Sequence, residues 1–333
     1  MCLEAMNMPL NELNDLLHET TFRFPQNLLG CITVSLVNAL EHCHSKGVAH
    51  RDVKPGNILF KANGEIKLAD FSEASDVIED NKFAGTICYM APERLNMIGA
   101  NNNNRGIISN SYPDVWSLGV TLLEFQLGNC PIKITDEIGT PIEIIHLIQH
   151  KINNKKNLDN LCDNSLGSIT MPMWHGKEVK EFIRSCLEEA GRRPSYQDLK
   201  QMRFYKMYKK FNIPIYVRGV YESRNKQFDS FQADKLYRKL DFNDGHIHDY
   251  KQEDNLVIKD IKSDSHNTEL IVLKYFHRPS GKFMAGKLFT MYNKIVDQLL
   301  NELEFLHRFS GTEYIVQIYG IDGYDFKGIL YHF

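Results

Sequence analysis

Two short polar segments flank one predicted hairpin in the first quarter of the chain. The sequence HRDVKPGN offers a carboxylate at Asp52, a lysine at Lys54 and a carboxamide at Asn57. The sequence ADFS then adds a second carboxylate at Asp70. Between them, apolar residues on both sides of an Ala-Asn-Gly turn predict a strand, a turn and a second strand. Phosphoryl transfer needs positioning, charge neutralisation and a proton acceptor, so this spacing favours that chemistry over solvated loop residues.

The bulk composition is that of an ordinary globular protein. The chain has 333 residues, of which 43% are hydrophobic and 24% charged, with a net charge of -3. This allows about two domains and does not favour a strongly basic nucleic-acid-binding protein. Seven scattered cysteines without a CxxC pair favour reduced thiols. Neither a signal peptide nor an apolar run of about 20 residues is evident, so we expect no membrane partner and a cytoplasmic or nuclear location.

Hydrophobic periodicity divides the chain into a helix-rich first part and a strand-rich last part. Helices are predicted at 26–46, at 114–125 with Asp114 as N-cap, at 178–187, at 196–208 and at 294–308. Strands are predicted at 256–261, 269–276, 282–289, 314–320 and 328–333. The intervening mixture of charged and aromatic residues predicts a linker. The four consecutive asparagines after position 100 predict a loop insertion.

Several segments resemble the signatures of protein kinases. HRDVKPGN, ADFS, GTICYMAPERL, DVWSLGVTLLEF and GRRPSYQDL are similar to motifs of the C-terminal lobe. HRPSGKFMAGKLF and QLLNELEFLH are similar to the lysine strand and helix C of the N-terminal lobe, and both sets resemble MAP kinase kinases in particular. The resemblance implies an α+β, bilobal protein-kinase-like fold, with a helical C-lobe and hinge at 1–205, a linker at 206–254 and a β-rich N-lobe at 255–333. It also implies a structural ion pair between Glu93 and Arg193.

The resemblance implies catalytic roles in the first part of the chain. Asp52 would be the catalytic base, and Lys54 would contact the transferring phosphate. Asn57 and Asp70 would hold Mg²⁺ beside ATP, in keeping with the preference of this ion for hard oxygen ligands.

The last part of the chain and the hinge would bind the nucleotide. Lys287 would pair with the ATP phosphates and with Glu302 of helix C, although Glu302 read alone could also be a solvent-facing helix glutamate. Ala285 would cover the adenine. The hinge would run beside it from Leu3 to Met6.

The order of the two lobes is reversed relative to the family. The chain begins on MCLEAM and ends on GILYHF, and in the family this junction falls where the last N-lobe strand enters the hinge. Either one domain is circularly permuted, or the rear half of one kinase precedes the front half of another. A linker of about 45 residues could stretch roughly 150 Å. We therefore expect the lobes to pack within one chain, with Lys287 near Asp70.

Three departures from the family pattern weaken the expectation of activity. The expected glycine-rich loop reads SHNTEL, so that Ser265, Asn267 and Leu270 occupy the glycine positions. The Asp-Phe-Gly sequence that is usual in the family is replaced here by Asp70-Phe71-Ser72. The activation segment has acidic and polar residues at 79–82 in place of paired phosphorylation sites.

Two hypotheses follow from these patterns. The first is an ATP- and Mg²⁺-dependent kinase that phosphorylates Ser, Thr and Tyr of a MAP kinase in a signalling cascade. The second is a pseudokinase or partial kinase that acts as an interaction module. The sequence KKFNIPI at 209–215 resembles the docking segment of MAP kinase kinases, but the basic end of the preceding helix is the favoured interpretation. The pair His246 and His248 lacks further ligands and predicts no metal site.

Overall fold

The protein is described by a computed structural model. It describes residues 2–19, 24–61, 63–77, 85–95, 112–132, 173–212, 215, 261–262, 269–277, 282–288, 293–320, 322–324 and 330–332. Several sequence predictions lie outside these residues, namely most of the linker, the asparagine run, the His-x-His pair and the segment 79–82. No helix in these ranges is long and apolar enough to cross a membrane.

The first part of the chain is mainly helical. Its helices are α1 Leu10–Glu19, α2 Gln26–Ser45, α3 Pro92–Leu95, α4 Pro113–Leu127, α5 Met173–Cys186, α6 Tyr196–Gln201 and α7 Arg203–Tyr208. Short 3-10 turns occur at Pro55–Asn57 and Ile87–Tyr89. The strands of this part are β2 Met8–Pro9, β3 Val48–Ala49, β4 Ile58–Phe60, β5 Ile66–Leu68 and β6 Ser75–Asp76. The predicted hairpin is confirmed, since β4 and β5 pair antiparallel.

Helix α2 lies at the centre of the hydrophobic core. The predicted apolar positions Leu29, Ile32, Leu36 and Leu40 are all buried, as expected for one face of a helix packed against neighbours. The helix ends before Gly47, which has a φ of 73° and donates its N–H to the carbonyl of the last helical turn. Glycine adopts this left-handed conformation at low cost, so the predicted stop is confirmed.

The start of α4 differs from the prediction. Asp114 is not the N-cap, because the helix begins one residue earlier, at Pro113, and Tyr112 is the capping position. Proline suits the first helical position because its fixed φ is already helical. The buried Asp114 carboxylate instead accepts hydrogen bonds from the backbone N–H groups of His50 and Arg51, at 2.7 and 2.8 Å.

The predicted helix at 196–208 is two helices. Met202 interrupts it with an extended ψ of 147°. The break turns the aromatic side chains of α7 onto α2, where the hydroxyl of Tyr205 donates to Asn38 and that of Tyr208 donates to Asn27. The spacing of apolar residues does not reveal such a break, because both α6 and α7 carry buried apolar side chains.

The last part of the chain forms strands around one long helix. Its elements are β7 Ile261–Lys262, β8 Glu269–His277, β9 Lys282–Leu288, α8 Asn293–Arg308, β10 Ile318–Gly320, β11 Asp322–Tyr324 and β12 Leu330–His332. Helix α8 and strands β8 and β9 match their predicted positions closely. The strand predicted at 314–320 is shorter, since only its end is regular strand, while β11 and β12 pair with each other.

The first strand of the chain, β1 Cys2–Glu4, completes the sheet of the last part. The sheet has the order β10-β1-β9-β8-β7, and all its neighbours pair antiparallel. One strand from the start of the chain therefore lies between two strands from its last part. Because β1 is bordered on both sides, its backbone hydrogen bonds tie the two parts of the chain together.

Further backbone hydrogen bonds join the two parts near β5. The Leu68 N–H donates to the Tyr314 carbonyl at 2.9 Å, and the Val316 N–H donates to the Leu68 carbonyl at 3.0 Å. The rings of Phe71 and Phe309 pack at a centroid distance of 5.2 Å. The helical part and the strand-rich part thus pack against each other within one chain.

The predicted ion pair between Glu93 and Arg193 is confirmed. The guanidinium of Arg193 contacts both carboxylate oxygens of Glu93, at 2.6 and 3.1 Å. The Arg193 side chain is fully buried, and that of Glu93 is only 15% exposed. A buried bidentate pair of this kind holds helix α3 against the loop after α5.

We predict that Glu93→Gln lowers the free energy of unfolding by roughly 3 kcal/mol, because it leaves a buried guanidinium without its counter-charge. Denaturant unfolding followed by circular dichroism measures the change. The matched control is Glu189→Gln, which removes an exposed partner of Arg192 and should cost less than about 0.5 kcal/mol. Equal effects of the two substitutions would contradict this assignment.

Candidate active site

The loop before β4 is held in place by buried polar contacts. His50 is fully buried, and its Nε2 lies 3.0 Å from the carbonyl oxygen of Ala69. Its ring meets Phe71 edge-on at 4.6 Å. Together with the two backbone hydrogen bonds accepted by Asp114, these contacts fix the path of the loop that carries Asp52.

Asp52 lies at the centre of a hydrogen-bond network. Its Oδ1 accepts from the backbone N–H and from the hydroxyl of Thr86, at 2.9 and 2.6 Å. Its Oδ2 accepts from Lys54 Nζ and from Asn57 Nδ2, each at 2.8 Å. Lys54 also donates to the Thr86 hydroxyl, at 2.7 Å. Three predicted site residues are therefore adjacent, and Thr86 joins them.

Gly85 allows Thr86 to reach Asp52. Its φ is 104°, which L side chains rarely adopt, and an added Cβ would lie 2.3 Å from the carbonyl oxygen of Arg51. Only glycine permits this close approach of two backbone segments. The Gly-Thr pair is thus a local requirement for the contact between the loop after residue 84 and the loop that carries Asp52.

Asn57 and Asp70 have the donor chemistry of a hard-cation site. Asn57 Nδ2 donates to both the carbonyl and the carboxylate of Asp52, which leaves its Oδ1 as an acceptor. The Asn57 carbonyl accepts from the Ala69 N–H at 2.9 Å, directly beside Asp70. Asp70 is partly exposed and has a φ of 63°, a conformation that Asp tolerates better than most residues. One carboxylate and one amide oxygen fit Mg²⁺, whose remaining ligands are commonly waters and phosphates.

Two of the three predicted adenine-site residues lie side by side. Leu3 on β1 is directly opposite Ala285 on β9 in the antiparallel register. Leu3 packs against the hydrophobic core, and Ala285 is partly buried. Met6 lies two residues beyond the end of β1 and is also partly buried. The structure therefore places the predicted hinge next to the strand predicted to cover the adenine.

Glu302 is buried on helix α8. Its exposed fraction is 1%, so the alternative of a solvent-facing glutamate is wrong. Lys287 lies on β9 opposite Val272, and its side chain lies outside the described residues. Its pairing with Glu302 and its approach to Asp70 therefore stay predictions.

A charged cluster surrounds Glu4 at the end of β1. The buried Glu4 carboxylate contacts Lys67 Nζ at 2.7 Å and Lys61 Nζ at 3.0 Å. Burial alone would raise the pKa of Glu4, but the hydrogen bonds and charges of Lys67 and Lys61 outweigh burial and hold the pKa below its usual value. The Glu4 N–H donates to the Gln317 carbonyl at 2.7 Å. The cluster thus joins the chain start, the β4–β5 hairpin and the segment before β10.

Asn301 holds the turn that follows Asp70. Its Nδ2 lies 3.3, 2.9 and 2.9 Å from the carbonyl oxygens of Phe71, Ser72 and Ala74. These carbonyls belong to three of the four residues 71–74 of a tight turn, and one amide group on α8 contacts all three. The serine that replaces the expected glycine thus lies in a turn that is fixed by a side chain 229 positions away.

The same face of α8 makes two further contacts with this segment. Gln298 Nε2 donates to the Glu73 carboxylate at 3.0 Å. Arg308 donates to the Asp76 carboxylate at 2.7 Å. Residues 298, 301 and 308 are spaced three and seven apart, which places them on one side of a helix. Helix α8 is therefore fastened along the whole segment from Phe71 to Asp76.

Other predicted features are described only in part. Leu270 lies in β8 and pairs with Ile261, whereas Ser265 and Asn267 lie outside the described residues. In KKFNIPI, Lys209 and Lys210 are exposed, and Ile215 has an exposed fraction of 67%. The described ranges contain no cluster of three or more His, Cys, Asp and Glu side chains arranged as a metal site.

Comparison with known proteins identifies the family. The protein kinase domain family model matches residues 1–205. The chain belongs to the protein kinase family. Its fold, with mixed helices and strands, is that of a protein kinase domain.

Curated relatives of this kinase-family chain include MAP kinase kinases. Dual specificity mitogen-activated protein kinase kinase hemipterous of Drosophila melanogaster is 30% identical over 235 residues, which cover 67% of this chain and 18% of the relative. Dual specificity mitogen-activated protein kinase kinase 7 of Homo sapiens is 31% identical over 196 residues, or 57% of this chain and 42% of the relative. The corresponding protein jkk-1 of Caenorhabditis elegans is 33% identical over 211 residues, or 62% and 44%. The matched regions thus span less than half the length of these relatives.

Sequence reasoning missed three residues of this kinase-family site. Thr86 was recognised only as part of a Gly-Thr pair, although the glycine before it signals a close backbone approach. Glu4 and Asn301 gave no local signal, because each acts through partners more than 50 positions away.

We predict that Asn301→Ala loosens the turn at 71–74, because it removes the side-chain donor that contacts the carbonyl groups of Phe71, Ser72 and Ala74. The expected loss is about 1–2 kcal/mol of unfolding free energy, with faster amide hydrogen exchange across residues 71–76. The control is Leu300→Ala on the neighbouring position, where the side chain is 58% exposed. Unchanged exchange in the Asn301→Ala variant would show that the three contacts do not hold the turn.

Proposed function

We propose that this chain is an ATP- and Mg²⁺-dependent protein kinase of the MAP kinase kinase type. Its substrate would be the Ser, Thr and Tyr hydroxyls of a MAP kinase in a signalling cascade. The observation that carries the proposal is the network in which Asp52 is bound by Lys54, Asn57 and Thr86. Such a network holds a carboxylate, a cation and an amide in fixed positions, which is what phosphoryl transfer requires of a protein.

The proposal includes the reversed lobe order. The C-lobe with the hinge would be residues 1–205, the linker 206–254 and the N-lobe 255–333. The position of β1 between β9 and β10 supports this division, because the hinge strand then belongs to the N-lobe sheet. A single chain can close in this way, since tethering gives the two lobes a high effective concentration.

Asp52 would act as the catalytic base. Its carboxylate would accept the proton of the substrate hydroxyl as the hydroxyl oxygen attacks phosphorus. The hydrogen bonds from Thr86 and Asn57 keep both carboxylate oxygens in place, which reduces reorganisation during the reaction. Lys54, at 2.8 Å from the carboxylate, would bring a positive charge to the transferring phosphate.

The remaining residues would bind the nucleotide and its metal. Asn57 Oδ1 and the Asp70 carboxylate would hold Mg²⁺, which neutralises phosphate charge when it is bound with ATP. Lys287, held by Glu302, would pair with the phosphates. The adenine pocket would be formed by Leu3, Ala285 and Met6. The direct pairing of Leu3 with Ala285 across β1 and β9 supports this assignment.

A non-catalytic interaction module is the second candidate. The specific observation in its favour is the sequence SHNTEL in place of a glycine-rich loop, with Leu270 already part of strand β8. Glycine-rich loops bind phosphate through closely approaching backbone N–H groups, and side chains obstruct this approach. Measurements of phosphoryl transfer and of Mg-ATP binding distinguish the two candidates.

We predict that Asp52→Asn and Asp70→Asn each reduce phosphoryl transfer at least 100-fold. Asp52→Asn removes the proton acceptor, and Asp70→Asn removes a negative charge that faces the cation. Electrostatic contributions of this kind are worth roughly 3 kcal/mol or more, which corresponds to about 100-fold in rate. The measurement is radiolabel transfer from ATP to a kinase-inactive MAP kinase.

The control for this experiment is Asp15→Asn, at an exposed position of α1, which should retain the parent rate. Both active-site variants should melt near the parent temperature. Transfer that survives Asp70→Asn would point to a contaminating kinase or to another mechanism. A parent protein without transfer would favour the interaction module.

We predict that nucleotide binding is weak in the parent chain and stronger after glycine is placed at positions 265, 267 and 270. The change removes side chains from the backbone that must approach the phosphates. Isothermal titration calorimetry with Mg-ATP measures the affinity. Tight binding by the unaltered chain would show that SHNTEL does not limit the phosphate contact.

A further inference from the structure

A cavity of about 270 Å³ lies where helices α2 and α6 meet the segment before β10. Helix α2 contributes side chains three and four positions apart, which share one face of a helix. Helix α6 contributes two side chains with the same spacing, and the last part of the chain contributes a tyrosine. The lining residues include Asn38, Glu41, His42, Gln197, Lys200 and Tyr314. None of them has a role in the proposed phosphoryl transfer.

The two charged side chains that line the cavity neutralise each other. Lys200 on α6 donates through its Nζ to the Glu41 carboxylate on α2. Burial and the nearby Lys46 lower the pKa of His42, so its imidazole is mostly uncharged at pH 7. The lining therefore has no net charge with which to attract a phosphate, a carboxylate or an ammonium group. A charged ligand would have to separate Lys200 from Glu41, whereas an uncharged ligand would leave the pair intact.

Two aromatic rings form one side of the cavity. The ring centroids of His42 and Tyr314 are 6.5 Å apart, and the ring planes are inclined at 51°. On its other side His42 packs against Phe309, at a centroid distance of 5.8 Å, which restrains the imidazole. Both His42 and Tyr314 are partly exposed. Because aromatic rings pack well against the faces and edges of other rings, this side favours a planar aromatic ligand over an aliphatic one.

Uncharged polar groups of the lining can hydrogen-bond such a ligand. Asn38 Oδ1 accepts from the Tyr205 hydroxyl at 2.8 Å, which leaves its Nδ2 as a donor. Within the part of the chain that the structure describes, the Gln197 carboxamide has no hydrogen-bond partner. A carboxamide offers both a donor and an acceptor. A ring nitrogen that accepts from Asn38 and an amide that pairs with Gln197 would complement these groups.

We propose that this cavity binds a small, planar, uncharged heteroaromatic carboxamide. Its ring would contact His42 and Tyr314, and its amide would pair with Gln197. Pockets for drug-sized molecules measure roughly 300–1,000 Å³, so a cavity just below this range suits a ligand of one substituted ring.

Binding would strengthen the packing of the two parts of the chain. The helices α2 and α6 belong to the first part, and Tyr314 belongs to the last part. The Tyr314 carbonyl already accepts from the Leu68 N–H at 2.9 Å. A ligand that contacts both parts binds the packed chain and not the unfolded one, so it stabilises the packed chain. This proposal does not depend on the proposed kinase function.

The probe for the experiment is nicotinamide, which is planar, uncharged at pH 7 and carries one ring nitrogen and one carboxamide. Saturation-transfer difference NMR with the full chain should show transfer to the ring protons of nicotinamide. The melting temperature should rise by about 2 °C at roughly ten times the dissociation constant. Cyclohexanecarboxamide keeps the amide but lacks the planar ring, and it should bind about 5-fold more weakly.

Variants of the lining test where the probe binds. Tyr314→Leu and Gln197→Ala should each weaken nicotinamide binding about 5-fold, because they remove a ring contact and a hydrogen-bonding amide. The matched control is Gln201→Ala, at an exposed position of the same helix as Gln197, which should bind as the parent does. Since Gln197 is exposed, its variant should melt at the parent temperature and remains informative even if Tyr314→Leu unfolds.

Three results would overturn the proposal. The first is the absence of saturation transfer at about 10 mM nicotinamide, a concentration that detects even millimolar affinity. The second is equal affinity of the parent and Gln197→Ala. The third is displacement of nicotinamide by Mg-ATP, which would place the probe in the proposed nucleotide site. None of these measurements uses phosphoryl transfer, so a chain without kinase activity would leave the test of the cavity unchanged.

Discussion

The contact of Glu4 with Lys61 and Lys67 connects the parts on which the site depends. Strand β1 brings Leu3 opposite Ala285, and the open end of the β4–β5 hairpin carries Asn57 just before β4 and Asp70 just after β5. Glu4 joins these two elements through a buried carboxylate and two ammonium groups. Removing the Glu4 carboxylate would leave the buried Lys67 ammonium without a counter-charge, and removing the two lysines would do the same to Glu4. An unpaired buried charge is costly. The cluster therefore fixes the strand from the chain start relative to the hairpin that carries the site.

The site depends on a second buried carboxylate in the same way. Asp114 accepts hydrogen bonds from two backbone N–H groups of the loop before Asp52, and Gly85 lets the following segment approach that loop. Asp52 is thereby placed between Thr86 and Asn57 with both of its oxygens occupied. On the other side, Asn301 of α8 fixes the turn after Asp70. The proposed catalytic base Asp52 and the proposed metal ligand Asp70 are thus held by contacts from elements distant in sequence.

Local patterns predicted much of the fold, and particular elements explain the exceptions. Helix α2, the hairpin of β4 and β5 and helix α8 follow from apolar periodicity with clear start and stop signals. The break at Met202 and the shift of the α4 start to Pro113 could not be predicted in this way. Each depends on what the side chains contact, such as the Asn38 amide for Tyr205 and two N–H groups for Asp114, and a local pattern does not encode such partners.

The sequence by itself determined which chemical groups are present: a carboxylate, a lysine and an amide at fixed spacing, a second carboxylate after a hairpin, and a glutamate on an amphipathic helix. It determined these because short motifs and hydrophobic periodicity are local properties. Only the tertiary structure decided that β1 lies between β9 and β10, that Thr86 binds Asp52 and that Asn301 holds the turn after Asp70. Those outcomes depend on contacts between residues 34 to 318 positions apart, and such contacts exist only once the chain has packed.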